Sequence, residues 1–209
     1  MIQVASGLLR RVPLRSPSGT QTRPSSERLR QGMFNVLRHF RWNPANEPAA
    51  GAAEDSIITN AIVVDLFAGT GAWGIEALSN GADEVWFVES HHLALRTLQE
   101  NIIIASDCFK SQDLPVPAMH VLRRDVESCY AKLPPSRVIF CDPPYEQGWF
   151  EKVLALEATH DRLVVGGLFL YEAAVKEPVP VVAVGLKHHL KHYDTKIYGD
   201  SAVHFFVKV

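Results

Sequence analysis

Two short strings hold the residues able to do chemistry. The first is Asp65-Leu66-Phe67-Ala68-Gly69-Thr70-Gly71-Ala72-Trp73-Gly74, set between an apolar run, Ile62 to Leu66, and a helical segment, Ile75 to Asn80, that Gly81 closes. Gly69, Gly71 and Gly74 match G-x-G-x-x-G, a spacing that lets a nucleotide-like ligand approach the backbone at a helix N-terminus. The next apolar run ends in Glu89, roughly 20 residues on, where a carboxylate can accept both hydroxyl hydrogens of a ribose. Dinucleotides and S-adenosylmethionine both use such an acid, so Glu89 leaves the two open. Asp65 separates them: at the strand's exit an anion would oppose a pyrophosphate by a few kcal/mol, at about 4 Å and an effective dielectric near ~20. S-adenosylmethionine has no phosphate and carries an ammonium and a sulfonium, which suit a pocket edged by Asp65, Glu89 and Asp125. Asp125 either accepts from an adenine amino group or caps a helix. The plain alternative for the glycine string is a tight strand-to-helix turn with no ligand.

The second string is Asp142-Pro143-Pro144-Tyr145, after the apolar run Val138 to Cys141. Two prolines remove two backbone donors and fix φ, leaving rigid carbonyl acceptors beside the Asp142 carboxylate. An exocyclic amino group has two hydrogens to donate and a lone pair delocalised into its ring. If Asp142 and the Pro143 carbonyl accept those hydrogens, the lone pair is freed to face an electrophilic methyl in line. Tyr145 can stack on the base, a contact worth on the order of 1 to 3 kcal/mol. A base inside a helix must first be turned out to reach such a site. A rigid turn that merely ends a strand is the alternative.

The elements that position these strings follow from periodicity. Ile62 to Leu66, Val85 to Val88, Met119 to Leu122, Val138 to Cys141 and Leu168 to Tyr171 are apolar runs of strand length. Helical faces lie between them, one marked by Leu95, Leu98 and Ile102 and another by Trp149, Phe150, Val153 and Leu154. That alternation predicts parallel strands joined by crossover helices. Leu186 to Ile197 and Ala202 to Val209 lie too close together for a crossover and predict an antiparallel hairpin. At the start, Ile2 to Val4 and Arg11 to Leu14 read as a short hairpin closed by Pro17-Ser18-Gly19, and a helix capped by Ser25 follows. Its inward stripe is Leu29, Met33, Val36, Leu37 and Phe40, and its opposite stripe is Arg28, Gln31, Asn35 and Arg38. The expected divisions are 1–42, a basic hairpin and helix; 43–57, a surface loop rich in Pro, Ala, Gly and Asn; and 58–209, the catalytic core.

Charge is divided the same way. Residues 1–42 hold eight arginines against one acid, Glu27, or +7; with 21 basic and 23 acidic residues in all, the remainder carries −9. An arginine arm on an acidic body is the asymmetry expected where one segment meets a polyanion, and the guanidinium fork suits phosphate and stacks on bases. Arg10, Arg11, Arg23, Arg28 and Arg38 are the candidate RNA contacts; a solvated basic face, or pairing of the arm with the acidic body, is the bland alternative. Three cysteines without Cys-x-x-Cys pairing, and nine histidines without partners at ligand spacing, point to no disulfide framework and no metal. No apolar run approaches the ~20 residues of a membrane span, and Met1 to Arg11 lacks a secretory leader, so a cytoplasmic protein is expected.

With these residues assembled, the chain resembles the bacterial RsmD family, methyltransferases acting on guanine N2 of small-subunit ribosomal RNA. Three blocks carry the resemblance: Arg23-Pro24-Ser25-Ser26-Glu27-Arg28-Leu29-Arg30-Gln31-Gly32-Met33-Phe34-Asn35, the glycine string from Asp65 to Gly71, and Asp142 to Tyr145. The first is the most specific. Ser25 stands where the family has threonine and Gln31 where it has glutamate, and the family's glycine-rich opening is reduced here to Gly7. The terminal hairpin, Lys196 to Gly199 followed by Val203 to Val207, is also similar.

The resemblance implies a Rossmann-like S-adenosylmethionine-dependent methyltransferase fold: an α/β, seven-stranded, mostly parallel sheet with its last strand reversed, plus an N-terminal β-hairpin and helix. By it Asp65, Phe67, Gly69, Gly71, Glu89 and Asp125 hold the cofactor, while Asp142, Pro143, Pro144 and Tyr145 hold the base. The expected product is S-adenosylhomocysteine, with no metal. The expected partner of a monomer is ribosomal RNA or the assembled small subunit, with no membrane. Three other functions share parts of the pattern: an adenine-N6 DNA or protein amide methyltransferase, an NAD-dependent oxidoreductase, and a non-catalytic RNA-binding assembly factor. Whether Asp142 orients the amino group or deprotonates it is open at this level.

Overall fold

Apolar at every position but Asp65, the run Ile62–Leu66 has the composition of a strand covered on both faces. A computed structural model bears this out; it describes residues 2–16, 27–40, 56–144, 147–179 and 189–209. The chain opens with two short paired strands, β1 (Ile2–Gln3) and β2 (Pro13–Leu14), then helix α1 (Glu27–His39). Alternation begins with β3 (Ile62–Leu66), α2 (Ala72–Ser79), β4 (Glu84–Val88), α3 (His92–Ser111) and β5 (Ala118–Leu122). It continues through α4 (Val126–Cys129), β6 (Ser136–Cys141), α5 (Trp149–His160) and β7 (Leu163–Ala174), and ends in β8 (Leu190–Tyr198) and β9 (Ser201–Lys208).

The seven strands of the main sheet are ordered β5-β4-β3-β6-β7-β9-β8. Pairs from β5 to β7 are parallel, while β9 runs antiparallel to both β7 and β8. The last strand in the chain is therefore the reversed one, as expected. It lies inside the sheet rather than at its edge. β7 is longer than the run Leu168 to Tyr171 suggested, because the strand continues back through Gly166 and Gly167 to Leu163. Those glycines lack the side chains by which a strand pattern is read, and the β6 register shifts between Ser136 and Val138 opposite them.

Two apolar layers sandwich the sheet. One gathers α2, α3 and the N-terminal unit around Val63, Val85, Phe140 and Leu168; the other packs α5 and the turn after β5 on Val64, Ile139, Phe169 and Phe206. In α1, Leu29, Met33 and Leu37 are buried and Arg28, Gln31 and Asn35 exposed, as the periodicity predicts. Arg30 departs from it. Read from sequence as one more charge of the arm, it is 1% exposed and faces Glu76 of α2, itself fully buried, at 3.8 Å. The Ser25 cap, the turn at Pro17 to Gly19 and loop residues 43–55 lie outside the described residues.

Polar groups seat the N-terminal hairpin on α2. Glu76 accepts from the Ala5 N–H (2.8 Å), the Ser6 N–H (2.6 Å) and the Ser6 hydroxyl (2.7 Å). The Ser79 carbonyl accepts from the Leu8 N–H at 2.7 Å, and the Ser79 hydroxyl accepts from the Leu9 N–H at 2.8 Å. Gly7 makes this approach possible: a Cβ there would lie 1.9 Å from the Ser79 oxygen, and its φ of +77° suits glycine.

Candidate active site

Register places the site. Leu66 pairs with Val88 on one side and with Cys141 on the other, so Phe67, Glu89 and Asp142 are the first residues past three adjacent strands. All three lie at the carboxyl edge. After β3 the chain moves outward to β4 and β5, then returns to β6 on the other side of β3. The gap between β3 and β6 is thus the topological switch point, the place where open α/β sheets bind ligands.

The glycine string turns the chain there. Phe67, Gly69 and Gly71 all have positive φ, and Gly71 is the left-handed residue that precedes α2. A Cβ on Gly71 would lie 2.4 Å from the Leu98 side chain of α3. Asp65, 1% exposed, sits beneath this turn. Its Oδ2 accepts from the Gly74 N–H at 2.9 Å, and its Oδ1 has no hydrogen-bond partner among the described residues. Burial pushes the Asp65 carboxyl well above the usual range; the Gly74 bond opposes the shift, and the nearby charges of Asp142 and Glu89 add to it. The folded protein thus holds the Asp65 proton more tightly than a free carboxylate does. The repulsion argued for it from sequence therefore describes its ionised form.

Glu89 binds the turn from the other side. Its Oε2 accepts from the Gly69 N–H at 2.7 Å, and its Oε1 accepts from the Ser90 and His91 N–H groups at 2.8 and 2.7 Å. Three of a carboxylate's roughly four lone-pair sites are thereby engaged with backbone, leaving room for one hydroxyl. Asp125 takes the helix-capping alternative, accepting from the Ser128 N–H (2.8 Å) and hydroxyl (2.9 Å). Those bonds hold its carboxyl below the usual range. It still lines, with Phe67, Glu89, Val126 and Trp149, an open cleft. The Phe67 and Trp149 rings meet edge-on at 4.7 Å and form its aromatic wall.

On the other side of Phe67, Asp142 is half-buried, Pro143 buried and Pro144 exposed, while Tyr145 lies outside the described residues. Asp142 adjoins a small cavity with Trp73, Phe140 and Glu172. Trp73 stacks on Phe140 at 5.1 Å. Burial pushes the neighbouring Cys141 thiol up, with Asp142 and Asp65 adding to the effect, so it is an inert structural cysteine.

Among the candidate RNA contacts, Arg10, Arg11 and Arg28 are exposed, and Arg23 lies outside the described residues. Arg38 is half-buried; its Nη2 and Nε donate to Asn80 Oδ1 at 2.7 and 3.2 Å. The structure thus brings Asp65, Phe67, Gly69, Gly71, Glu89 and Asp142 to one edge and leaves the arginines on the appended unit. Sequence reasoning passed over Trp149, Glu172, Glu76 and Asn101. Glu76 and Glu172 carried a visible signal, each a charge inside an otherwise apolar run, in the helix Ala72–Ser79 and in β7, which requires a partner when buried.

The family described as conserved hypothetical protein 95 matches residues 2–207, nearly the whole chain. The chain belongs to this family. Among curated relatives, YlbH of Bacillus subtilis is 30% identical over 175 residues, 82% of each chain. Ribosomal RNA small subunit methyltransferase D of Escherichia coli is 26% identical over 189 residues, 90% of this chain and 82% of that one. The solved structure of yhhF from Escherichia coli superimposes with a TM-score of 0.74 at 24% identity, covering 99% of this chain and 97% of that one. This member of the conserved hypothetical protein 95 family thus shares the yhhF fold over nearly its whole length.

Proposed function

We propose that this protein transfers a methyl group from S-adenosylmethionine to the exocyclic N2 amino group of a guanine in small-subunit ribosomal RNA. The observation that carries the reading is the juxtaposition of Asp142 with the glycine turn across the β3–β6 switch point. The match to ribosomal RNA small subunit methyltransferase D supports the substrate.

The residues fit the donor. The buried Asp65 Oδ1 awaits a positive charge or a donor hydrogen, Glu89 has capacity for a ribose hydroxyl, and Phe67 with Trp149 offers a wall for adenine. S-adenosylmethionine supplies, when bound, a methyl group made electrophilic by its sulfonium. The chain's part is to orient. Asp142 and the Pro143 carbonyl accept the two amino hydrogens of the base, which localises the nitrogen lone pair and aims it across the switch point. The nitrogen gains a bond to carbon, the carbon–sulfur bond breaks with its electron pair staying on sulfur, and S-adenosylhomocysteine leaves. The methylated nitrogen is then acidic enough to release its extra proton to Asp142 or to water. The exposed Arg10, Arg11 and Arg28 contact RNA phosphates.

Incubation with labelled donor against naked DNA, assembled small subunits, free ribosomal RNA and lysate tests the assignment. Label in small-subunit guanine is expected, and label in DNA alone would overturn it. Asp142→Ala should cut methylation by on the order of a hundredfold or more while RNA binding survives. Unchanged turnover would remove Asp142 from its role.

A further inference from the structure

Asn101 of α3 is fully buried and belongs to neither half of the site. Its amide faces two segments at once. Nδ2 donates to the Thr70 carbonyl in the glycine turn at 2.9 Å and to the Arg15 carbonyl at 3.1 Å, while Oδ1 accepts from the Arg15 N–H at 2.6 Å. Arg15 immediately follows β2, where the N-terminal hairpin hands the chain toward α1 and its exposed arginine face. Thr70 lies between Gly69, whose N–H is held by Glu89, and the left-handed Gly71. One side chain therefore joins the turn that receives the methyl donor to the exit of the arginine-bearing unit.

We infer that Asn101 is a positioning residue that couples the two substrates: filling the glycine turn with the methyl donor sets the Arg15 backbone, and with it the arm, for RNA. The physical route is short. A ribose hydroxyl takes the open site on Glu89 Oε2, the oxygen that also holds the Gly69 N–H, so donor binding acts on the conformation of the turn at its centre. The Thr70 carbonyl carries any adjustment to Asn101. Because the same amide plane also holds Arg15 by a donor and an acceptor, it cannot follow Thr70 without carrying Arg15. Ordering of the joint by either substrate lowers the ordering cost left for the other, and the linkage is reciprocal. The inference rests on the proposed RNA substrate and adds an order to the reaction, with the donor improving capture of the RNA.

The test uses the full chain, S-adenosylhomocysteine as the stable donor-site probe, and small-subunit ribosomal RNA from cells lacking the protein. Calorimetric titration of wild type should show S-adenosylhomocysteine binding about tenfold tighter with saturating RNA than without it, within the roughly 5- to 150-fold range usual for coupled sites. Asn101→Ala should bring that ratio to within about twofold of unity while each probe still binds alone. A residue with only a structural role would lower thermal stability and leave the ratio intact. A second measurement needs no variant: S-adenosylhomocysteine should slow hydrogen exchange of the wild-type Arg15 amide, the proton Asn101 accepts. Wild type that binds neither probe would overturn the proposed function. Wild type that binds both independently, with Arg15 exchange unchanged, would overturn the coupling alone.

Discussion

Glu76 and Glu157 are both buried carboxylates, at 0% and 3% exposure, yet they fasten different kinds of structure. Glu157 ties the core to itself. It accepts from the Tyr130 hydroxyl at 2.9 Å, from the Arg162 and Leu163 N–H groups at 3.0 and 2.9 Å, and from the Lys208 ammonium at 3.0 Å. Lys208 has further partners in the Leu163 carbonyl (2.6 Å) and Asp161. The Glu76 carboxylate instead takes its partners from the N-terminal unit: Ala5, Ser6 and Arg30. One acid is redundant cement within the sheet's far end; the other is the fastening of an appendage that bears the arginines. A charged joint fixes the angle of that appendage to α2, and α2 begins at the glycine turn.

The comparison is broken most directly by Glu76→Ala, which removes the carboxylate facing Arg30 and the acceptor of the Ala5 and Ser6 N–H groups. A loss of about 3–5 kcal/mol is expected, read by urea denaturation, with proteolysis cutting the first residues before the core. Glu157→Gln keeps an acceptor, and Lys208 keeps Asp161, so about 1–3 kcal/mol is expected in a single cooperative transition. Equal losses with no early cleavage would mean that the N-terminal unit is not a separable appendage.

Asp65 sharpens the contrast as a third buried acid, satisfied at one oxygen only. Its carboxyl is raised, so the folded state holds the proton more tightly than the unfolded chain. Stability conferred by that proton is fully present below the ordinary carboxylate pKa and declines as pH climbs toward the raised value. A cationic donor needs the ionised form. Affinity for S-adenosylmethionine should therefore rise with pH over the same window, by up to about tenfold per unit, and Asp65→Asn should flatten the titration. A wild-type affinity that falls with pH would contradict the assignment. The smallest effect expected is at the surface. Arg28→Ala should reduce the salt dependence of RNA binding by about one phosphate contact, measured by titration at several ionic strengths. Arg38→Ala should act chiefly through Asn80, by loosening α1 on α2.

How legible this was depended on whether a residue's partner lies nearby in sequence. β3 was read to the residue, since five apolar-rich positions before a glycine string leave little choice, and the site edge followed because Glu89 and Asp142 directly follow apolar strand runs. Arg30 was counted as part of the basic arm because helical periodicity marks a face by hydrophobicity and cannot show a guanidinium meeting a carboxylate 46 positions on. Asn101 lay on a face defined by Leu98 and Ile102, where its two long-range partners leave no local trace. Trp149 was assigned inward by the same periodicity, although its position as the first residue of α5 brings it to the cleft. Tyr145 and Arg23 remain expectations from sequence.

Strand order has a consequence for synthesis. β9 is inserted between β7 and β8, both of which precede it in the chain. Until residues 201–208 have emerged, β8 has no ladder to join and β7 presents an open margin, the kind of edge that invites pairing with a foreign chain. The half of the sheet nearest the glycine turn can assemble early, but closure of the other half waits for residues 201–208, so the nascent chain is most exposed to misassembly between the emergence of β7 and that of β9.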